Sequence, residues 1–159
     1  MEYVWLDVNV MPADEISAAV RDINRLIAQV ATSPKKISAL HLQLMGSRGS
    51  RVMVARQTTH NHPDGAASYV AHVICAMATL VPVFTLQGMK ARIEDVAVDE
   101  DRRGQGIAKT LLARLIQDAR YDSYVQLDLT SHPRRETANA LYVKLGFEHY
   151  ETNVYRLKL

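Results

Sequence analysis

Cysteine is almost missing from this chain of 159 residues. Cys75 stands alone, so no internal disulfide can form, and a reducing compartment is expected. A charge excess of one sign is missing too. Nineteen lysines and arginines face 17 aspartates and glutamates, a formal net charge of +2. That excludes a surface built as a whole for nucleic acid, while leaving room for a local basic cluster. Glycine (7) and proline (5) are too few for a collagen-like or low-complexity chain, and no repeat or linker stands out. The most apolar stretch, Val73 to Phe84, falls short of the roughly 18 residues a membrane span needs and reads as a buried strand. The N-terminus, Met1-Glu2-Tyr3-Val4-Trp5-Leu6-Asp7, is acidic and lacks the order of a signal peptide. What is present is an ordinary globular composition, 48% hydrophobic and 23% charged. A single domain over residues 1–159, cytoplasmic and without membrane or nucleic-acid partners, is expected.

Periodicity orders the elements. Glu2 to Val8 is strand-like. Pro12-Ala13-Asp14-Glu15 opens a helix whose Ile16, Ala19, Val20, Ile23, Leu26, Ile27 and Val30 share one face, and Thr32-Ser33-Pro34 closes it. A second helix is expected over Lys36 to Leu44, then a turn at Gly46 to Ser50 and a short strand over Arg51 to Arg56. Thr58 to Gly65 is turn chemistry, followed by strands over Tyr69 to Val81 and Arg92 to Val98. Ile107, Leu111, Leu112, Leu115, Ile116 and Ala119 mark an amphipathic helix from about Gly106 to Arg120. Val125, Leu127 and Leu129 alternate with polar residues, as in a half-buried strand. Pro133 starts a last helix that Gly146 stops, and Val154 to Leu159 reads as a final strand. The order β-α-α-β-β-β-α-β-α-β predicts an α+β domain, a mixed sheet of about six to seven strands with about four helices.

Between Val98 and Leu111 a strand runs through Asp99-Glu100-Asp101 and Arg102-Arg103-Gly104-Gln105-Gly106 directly into a helix. Such a turn is an anion cradle. Free amides point outward from the helix N-terminus, the dipole favours negative charge, and glycine lets a phosphate approach the backbone. Arg102, Arg103 and Lys109 add charge, which the neighbouring acids oppose unless they point away. A Walker loop ending at Lys109-Thr110 would need glycine where Arg103 and Ala108 stand, and a dinucleotide fingerprint would need glycine or alanine at Lys109. An ordinary strand-to-helix turn, with glycine for geometry, is the plainer alternative.

Arg103-Gly104-Gln105-Gly106-Ile107-Ala108 resembles the (Gln/Arg)-x-x-Gly-x-(Gly/Ala) turn of the GNAT superfamily of acyl-CoA-dependent N-acetyltransferases. Ile93 to Val98 is similar to the strand that borders the acetyl group in those enzymes, and Leu141-Tyr142-Val143-Lys144-Leu145-Gly146-Phe147 resembles their Leu-Tyr-x-x-x-Gly-Phe segment. Two motifs in this order are far more specific than either alone. The resemblance runs from Arg92 to the C-terminus and is weak over the N-terminal half.

The resemblance implies that Arg103, Gly104, Gln105, Gly106, Ile107 and Ala108, with Lys109 and Thr110 next in line, hold the pyrophosphate of acetyl-CoA, the cosubstrate. Val96, Ala97 and Val98 would bond the acetyl and pantetheine groups as an added strand would. Tyr142 falls where many members carry a tyrosine that protonates the departing thiolate, a task suited to a phenol of pKa ~10; by itself it would read as a core tyrosine. Asn139 is a further contact to the coenzyme. Members often have asparagine seven positions before the tyrosine, where this chain has Arg135, and Arg134-Arg135 are candidates for the 3′-phosphate.

Strand alternation puts Glu94 on the face of Val96 and Val98, which makes it the candidate base; Asp95 falls on the other face. Glu94 or Arg92 could equally position the substrate, and a solvated strand residue is the bland alternative for Glu94. No metal is expected: His60, His62 and Asp64 lack further ligands at familiar spacing, His72 reads as a core or groove histidine, and Cys75 as an inert thiol. The expected reaction is acetyl transfer to a primary amine, a small molecule or a peptide, by direct attack in a ternary complex. A non-catalytic acyl-CoA-binding sensor and a nucleotide-phosphate binder are the rivals. The size matches one such domain with nothing appended, so the acceptor site comes from this chain or from the neighbour in a homodimer.

Overall fold

The computed structural model describes residues 1–31, 33–61 and 69–159. They form two compact units, Met1–Leu129 and Thr130–Leu159.

The larger unit is built on one five-stranded sheet in the order β1-β2-β3-β4-β5. Its strands are β1 (Glu2–Trp5), β2 (Arg51–Asn61), β3 (Tyr69–Thr85), β4 (Gly88–Val98) and β5 (Gln126–Leu129). The first four pair antiparallel and β4 pairs parallel with β5, which makes the sheet mixed and the class α+β, as expected. Helices α1 (Ala13–Val30), α2 (Ala39–Ser47) and α3 (Ile107–Tyr121) belong to the same unit, and α4 (Glu136–Lys144) to the smaller one. No described helix is long and apolar enough to cross a membrane.

Among the described residues the sheet has five strands rather than six to seven. Val154 to Leu159, expected as a final strand, carries no strand pairing and is exposed throughout. Alternation decides which face a strand would bury but supplies no neighbour for it to pair with. Thr58 to Asn61, expected as turn, continues β2, because Thr58 pairs with His72 and Asn61 with Tyr69. His62 and Asp64 lie outside the described residues. α2 starts three residues later than expected, at Ala39, where the Ser38 side chain accepts the His41 N–H and caps the helix.

The sheet is covered on both faces. Ala19, Ile23 and Leu26 of α1 meet Val52, Val54, Ile74, Met77 and Ala97. The intervening residues Met53, Ala55, Ala76, Ala78, Ala91 and Ile93, also buried, point the other way, where Leu111, Leu112 and Leu115 of α3 are fully buried. Each of those leucines contributes on the order of 2 kcal/mol by leaving water. Trp5 ties the α3 layer to the sheet: its indole N–H donates to Asp118 at 2.8 Å while the Arg51 guanidinium lies 4.4 Å over its ring. Arg51 also pairs with Asp122 just beyond α3.

Two bulges interrupt the ladder. On β3, Cys75 is the extra residue between the pairs Ala55–Ala76 and Arg56–Ile74. On β4, Asp95 and Val96 together oppose Ala78, between the pairs Thr79–Glu94 and Met77–Ala97. Asp95 takes φ +54°, a left-handed conformation unusual outside glycine.

Candidate active site

The bulge at Asp95 changes the expected placement of Glu94. An extra residue inverts the alternation, so Glu94 pairs with Thr79 and shares the α1 face with Ala97, not with Val98. The same inversion removes the ground for separating Asp95 from it, since the Asp95 carboxylate accepts a hydrogen bond from Thr79 Oγ1 at 3.0 Å. Both acids are thus available on the α1 side of the strand. Glu94 accepts from Arg92 Nε at 3.0 Å, a half-exposed ion pair of the kind worth about 0–1 kcal/mol. A bulge leaves no mark in composition or periodicity, which is why the alternation alone misplaces these groups.

Just before the bulge, β4 parts from β5. Their parallel pairing ends at Ile93–Leu129, so Glu94 to Val98 continue with β3 on one side and no β5 pairing on the other. This stretch contains Val96, Ala97 and Val98. An open strand edge of this kind receives an extended ligand through main-chain hydrogen bonds, which requires nothing of the side chains.

The strand then enters the glycine turn. A single 3-10 turn (Glu100–Arg102) leads to Gly104 and Gly106, both at φ +76°, with Gly106 capping α3 in the left-handed conformation. A Cβ built on either glycine meets no protein atom within 4 Å. Backbone conformation therefore demands glycine there, not packing, and the space over the turn stays open to a ligand. The amides of Ile107, Ala108 and Lys109 open α3 and have no partner within the helix. Thr110 is committed otherwise: its N–H donates to Gly106 O at 3.1 Å and its hydroxyl to the same oxygen at 3.4 Å. Arg103 bends back, with Nε donating to Val98 O at 3.2 Å, so it joins the turn to the strand end. Arg102, Gln105 and Lys109 are exposed. An anion of pyrophosphate size fits this donor set: outward amides, a helix N-terminus and flanking cations.

Asp99, the first acid of the turn, does not point into it. Its carboxylate is paired with Arg25 and accepts from Gln29 Nε2 at 3.3 Å, both on α1. Burial pushes this carboxyl up, but the bonds from Arg25 and Gln29 and the charge of Arg25 outweigh it and leave the group below its ordinary value. Nothing in the sequence signals this contact between residues 74 positions apart.

In the smaller unit, Tyr142 sits in the last turn of α4, half-buried. The helix ends in a Schellman cap. Gly146 at φ +91° donates to Val143 O at 3.0 Å, Phe147 N–H donates to Tyr142 O at 3.0 Å, and the two rings meet edge to face with centroids 6.0 Å apart. The Leu-Tyr-x-x-x-Gly-Phe spacing thus has a local physical meaning: Gly146 makes the cap and Phe147 seats the tyrosine ring. Burial raises the Tyr142 phenol above its ordinary value, against an opposing pull from Arg135. Asn139 Nδ2 donates to His132 O at 3.2 Å and Pro133 O at 3.3 Å, so its amide hydrogens brace the turn before α4 and only its oxygen faces other groups. Ser131, which no sequence signal singled out, keeps a buried hydroxyl that has no hydrogen-bond partner among the described residues.

His72 lines a cleft of about 220 Å³ with Glu15, Arg21, Asp22 and Arg56. Cys75 is buried, and desolvation pushes its thiol up despite the nearby Arg102 charge. Among the described residues no group of three or more His, Cys, Asp or Glu side chains is placed to hold a metal.

This mixed α+β architecture, with a fourth strand that opens beside a glycine-bearing helix N-terminus, is that of the acetyltransferase fold. More narrowly, the chain belongs to the GNAT acetyltransferase family, whose domain model matches residues 63–149. Human N-acetyltransferase 8B is 36% identical over 64 residues, which is 40% of this chain and 28% of that protein's length. The crystal structure of a Trypanosoma brucei acetyltransferase superposes with a TM-score of 0.66 at 25% identity, covering 99% of both chains. A probable acetyltransferase reaches a TM-score of 0.75 at 18% identity, covering 100% of this chain and 98% of its own.

Proposed function

We propose that the 159 residues act as one N-acetyltransferase domain, moving the acetyl group of acetyl-CoA to a primary amine of a small molecule or peptide. The observation that carries the reading is the continuity of the open β4 edge with the glycine turn, which would join an acyl-binding strand to a phosphate cradle. Gly104, Gln105, Gly106, Ile107, Ala108 and Lys109 would bind the pyrophosphate, with Arg103 bracing the turn, and Val96 to Val98 the pantetheine arm. The thioester supplies an activated acyl carbon when the cosubstrate is bound.

The acceptor approaches β4 from the α1 side, where Glu94 and Asp95 lie. A carboxylate there holds the incoming ammonium and takes its proton, directly or through water, so that the neutral amine attacks the carbonyl carbon. The C–N bond forms and the C–S bond breaks. Tyr142 gives its phenolic proton to the departing thiolate and regains one, through water, from the nitrogen, which must shed its second proton as the amide forms. A phenol kept neutral by burial is suited to that donation. Asn139 would be a further polar contact to the coenzyme. A lone buried thiol, Cys75, is in keeping with a cytoplasmic setting.

An amine-library screen that follows free thiol release, run on the wild type and Tyr142→Phe, tests the reading. Turnover on at least one amine, slowed in the variant, supports it. Tight coenzyme A binding with no turnover on any amine would establish the binding-module alternative instead.

A further inference from the structure

The segment from Asp99 to Lys109 carries three carboxylates and three cations, and so has no net charge with which to attract a phosphate. What distinguishes the acids is where they are held. Asp22, Arg25 and Gln29 lie at spacings of three and four on α1 and form a polar stripe beside the buried Ile23 and Leu26. This stripe meets β3 where the Cys75 bulge and the end of β4 leave the backbone of Ile74 in need of partners. Asp22 accepts the Ile74 N–H at 2.8 Å and Arg25 Nη2 donates to Ile74 O at 2.9 Å. The other arm of Arg25 pairs with the Asp99 carboxylate. Gln29 holds both sides of the next peptide, donating to Asp99 Oδ1 at 3.3 Å and accepting the Glu100 N–H at 3.0 Å. The Asp99 main chain is fixed as well: its N–H donates to Cys75 O at 2.8 Å, and its carbonyl accepts the Arg102 N–H at 2.9 Å.

We propose that Arg25 and Gln29 are positioning residues for the glycine turn: they draw the Asp99 carboxylate onto α1 and hold its charge away from the place where the turn would meet an anionic ligand. Arg25 acts through Asp99 and need not touch the ligand. It sits between Asp22, 3.6 Å from its guanidinium, and Asp99, and so sets the Asp99 carboxylate aside on α1, while Gln29 fixes the peptide at which the chain turns toward the cradle. The proposal rests on the reading that this turn binds the pyrophosphate of coenzyme A.

The test compares Arg25→Met, Arg25→Lys, Asp99→Asn and the double variant Arg25→Met/Asp99→Asn. Calorimetric titration uses coenzyme A and pantetheine, which lacks the pyrophosphate. Arg25→Met is expected to weaken coenzyme A binding about tenfold at low ionic strength, less in high salt, and to leave pantetheine binding unchanged. With acetyl-CoA as the varied substrate, KM rises while kcat holds. Arg25→Lys retains most of the affinity, and removing the Asp99 charge in the double variant restores it to within about twofold of the wild type. A double variant that binds no better than Arg25→Met, or a loss shared equally by pantetheine, would show a merely structural role and overturn the proposal. If Arg25→Met does not fold, the Arg25→Lys and Asp99→Asn titrations decide: Asp99→Asn binding coenzyme A more weakly than the wild type overturns it. A wild-type chain that binds no coenzyme A brings down the functional reading itself, whereas normal wild-type binding with an unaffected Arg25→Met brings down this proposal alone.

Discussion

Thr79, the one buried polar side chain among the described core residues at 2% exposure, holds the Asp95 carboxylate through a 3.0 Å hydrogen bond across the β4 bulge. The contact does two things. It satisfies a hydroxyl that has no access to water, and it compensates a backbone conformation, φ +54°, that a residue with a Cβ adopts only at a cost of about 1–2 kcal/mol. Thr79→Val removes the bond while keeping the shape. It is expected to lower stability by about 1–2 kcal/mol in urea denaturation. Acetyl transfer should fall further than that loss explains, because the bulge aims the open edge of β4. Unchanged kcat/KM in a destabilised Thr79→Val would show that the bulge is structural only.

Gly104→Ala and Gly106→Ala separate conformation from ligand space. Both positions have φ +76°, and neither added methyl meets protein. Each substitution should therefore cost about 1–2 kcal/mol of strain, a fall in Tm of roughly 2–8 °C. Coenzyme A affinity should drop at least tenfold if the turn binds the pyrophosphate as proposed, since the methyl would then stand in the phosphate's path. Melting curves and titrations on the same samples check both numbers.

For Tyr142 the direction of the pKa shift fixes the pH profile. Burial raises the folded phenol above its ordinary value. Its stabilising share is therefore complete below the unfolded value of about 10 and is lost as pH climbs through the higher folded value. The alkaline limb of kcat should lie above the usual tyrosine range. Tyr142→Phe should remove that limb and slow kcat by about 10²-fold or more. A limb that persists in Tyr142→Phe would assign the acid elsewhere.

Much of this fold can be read from periodicity. The apolar faces of α1 and α3 were legible because each repeats every three to four residues over at least four turns. The family was legible for a different reason: Gly104, Gly106 and Gly146 all hold positive φ, and such positions leave glycine at fixed spacing. The parts that escaped are those where one residue counts for two or where partners lie far apart in sequence. Asp95 looks like any strand residue, yet as a bulge it moves Glu94 to the α1 face. Thr110 and Asn139 carry the right chemistry for ligand contacts, but their hydrogens go to nearby carbonyls, a competition that local side-chain-to-backbone bonding often wins. Arg25 gave no sign at all, because its meaning lies in a strand end 74 positions away.

Trp5→Phe probes the seam between the sheet and α3. It deletes the indole N–H donated to Asp118 and weakens the stacking under Arg51, together worth about 1–2 kcal/mol. The substitution is distant in sequence from the glycine turn, so coenzyme A affinity should be kept while Tm falls. A Tm equal to that of the wild type would mean that Arg114, which also donates to Asp118 at 2.9 Å, suffices for the seam.

The parting of β4 from β5 after Ile93 has a thermodynamic side. An extended ligand laid along Glu94 to Val98 does the work of a neighbouring strand, so binding and completion of the sheet become one event. Amide hydrogens of that stretch that face the open edge should exchange quickly in the free protein and become protected with ligand. The gain in stability then grows as RT ln(1 + [L]/Kd), about 2.7 kcal/mol at a hundredfold excess over Kd. If the ligand is acetyl-CoA, as proposed, the resistance of this chain to unfolding becomes a reading of how much of it surrounds the protein.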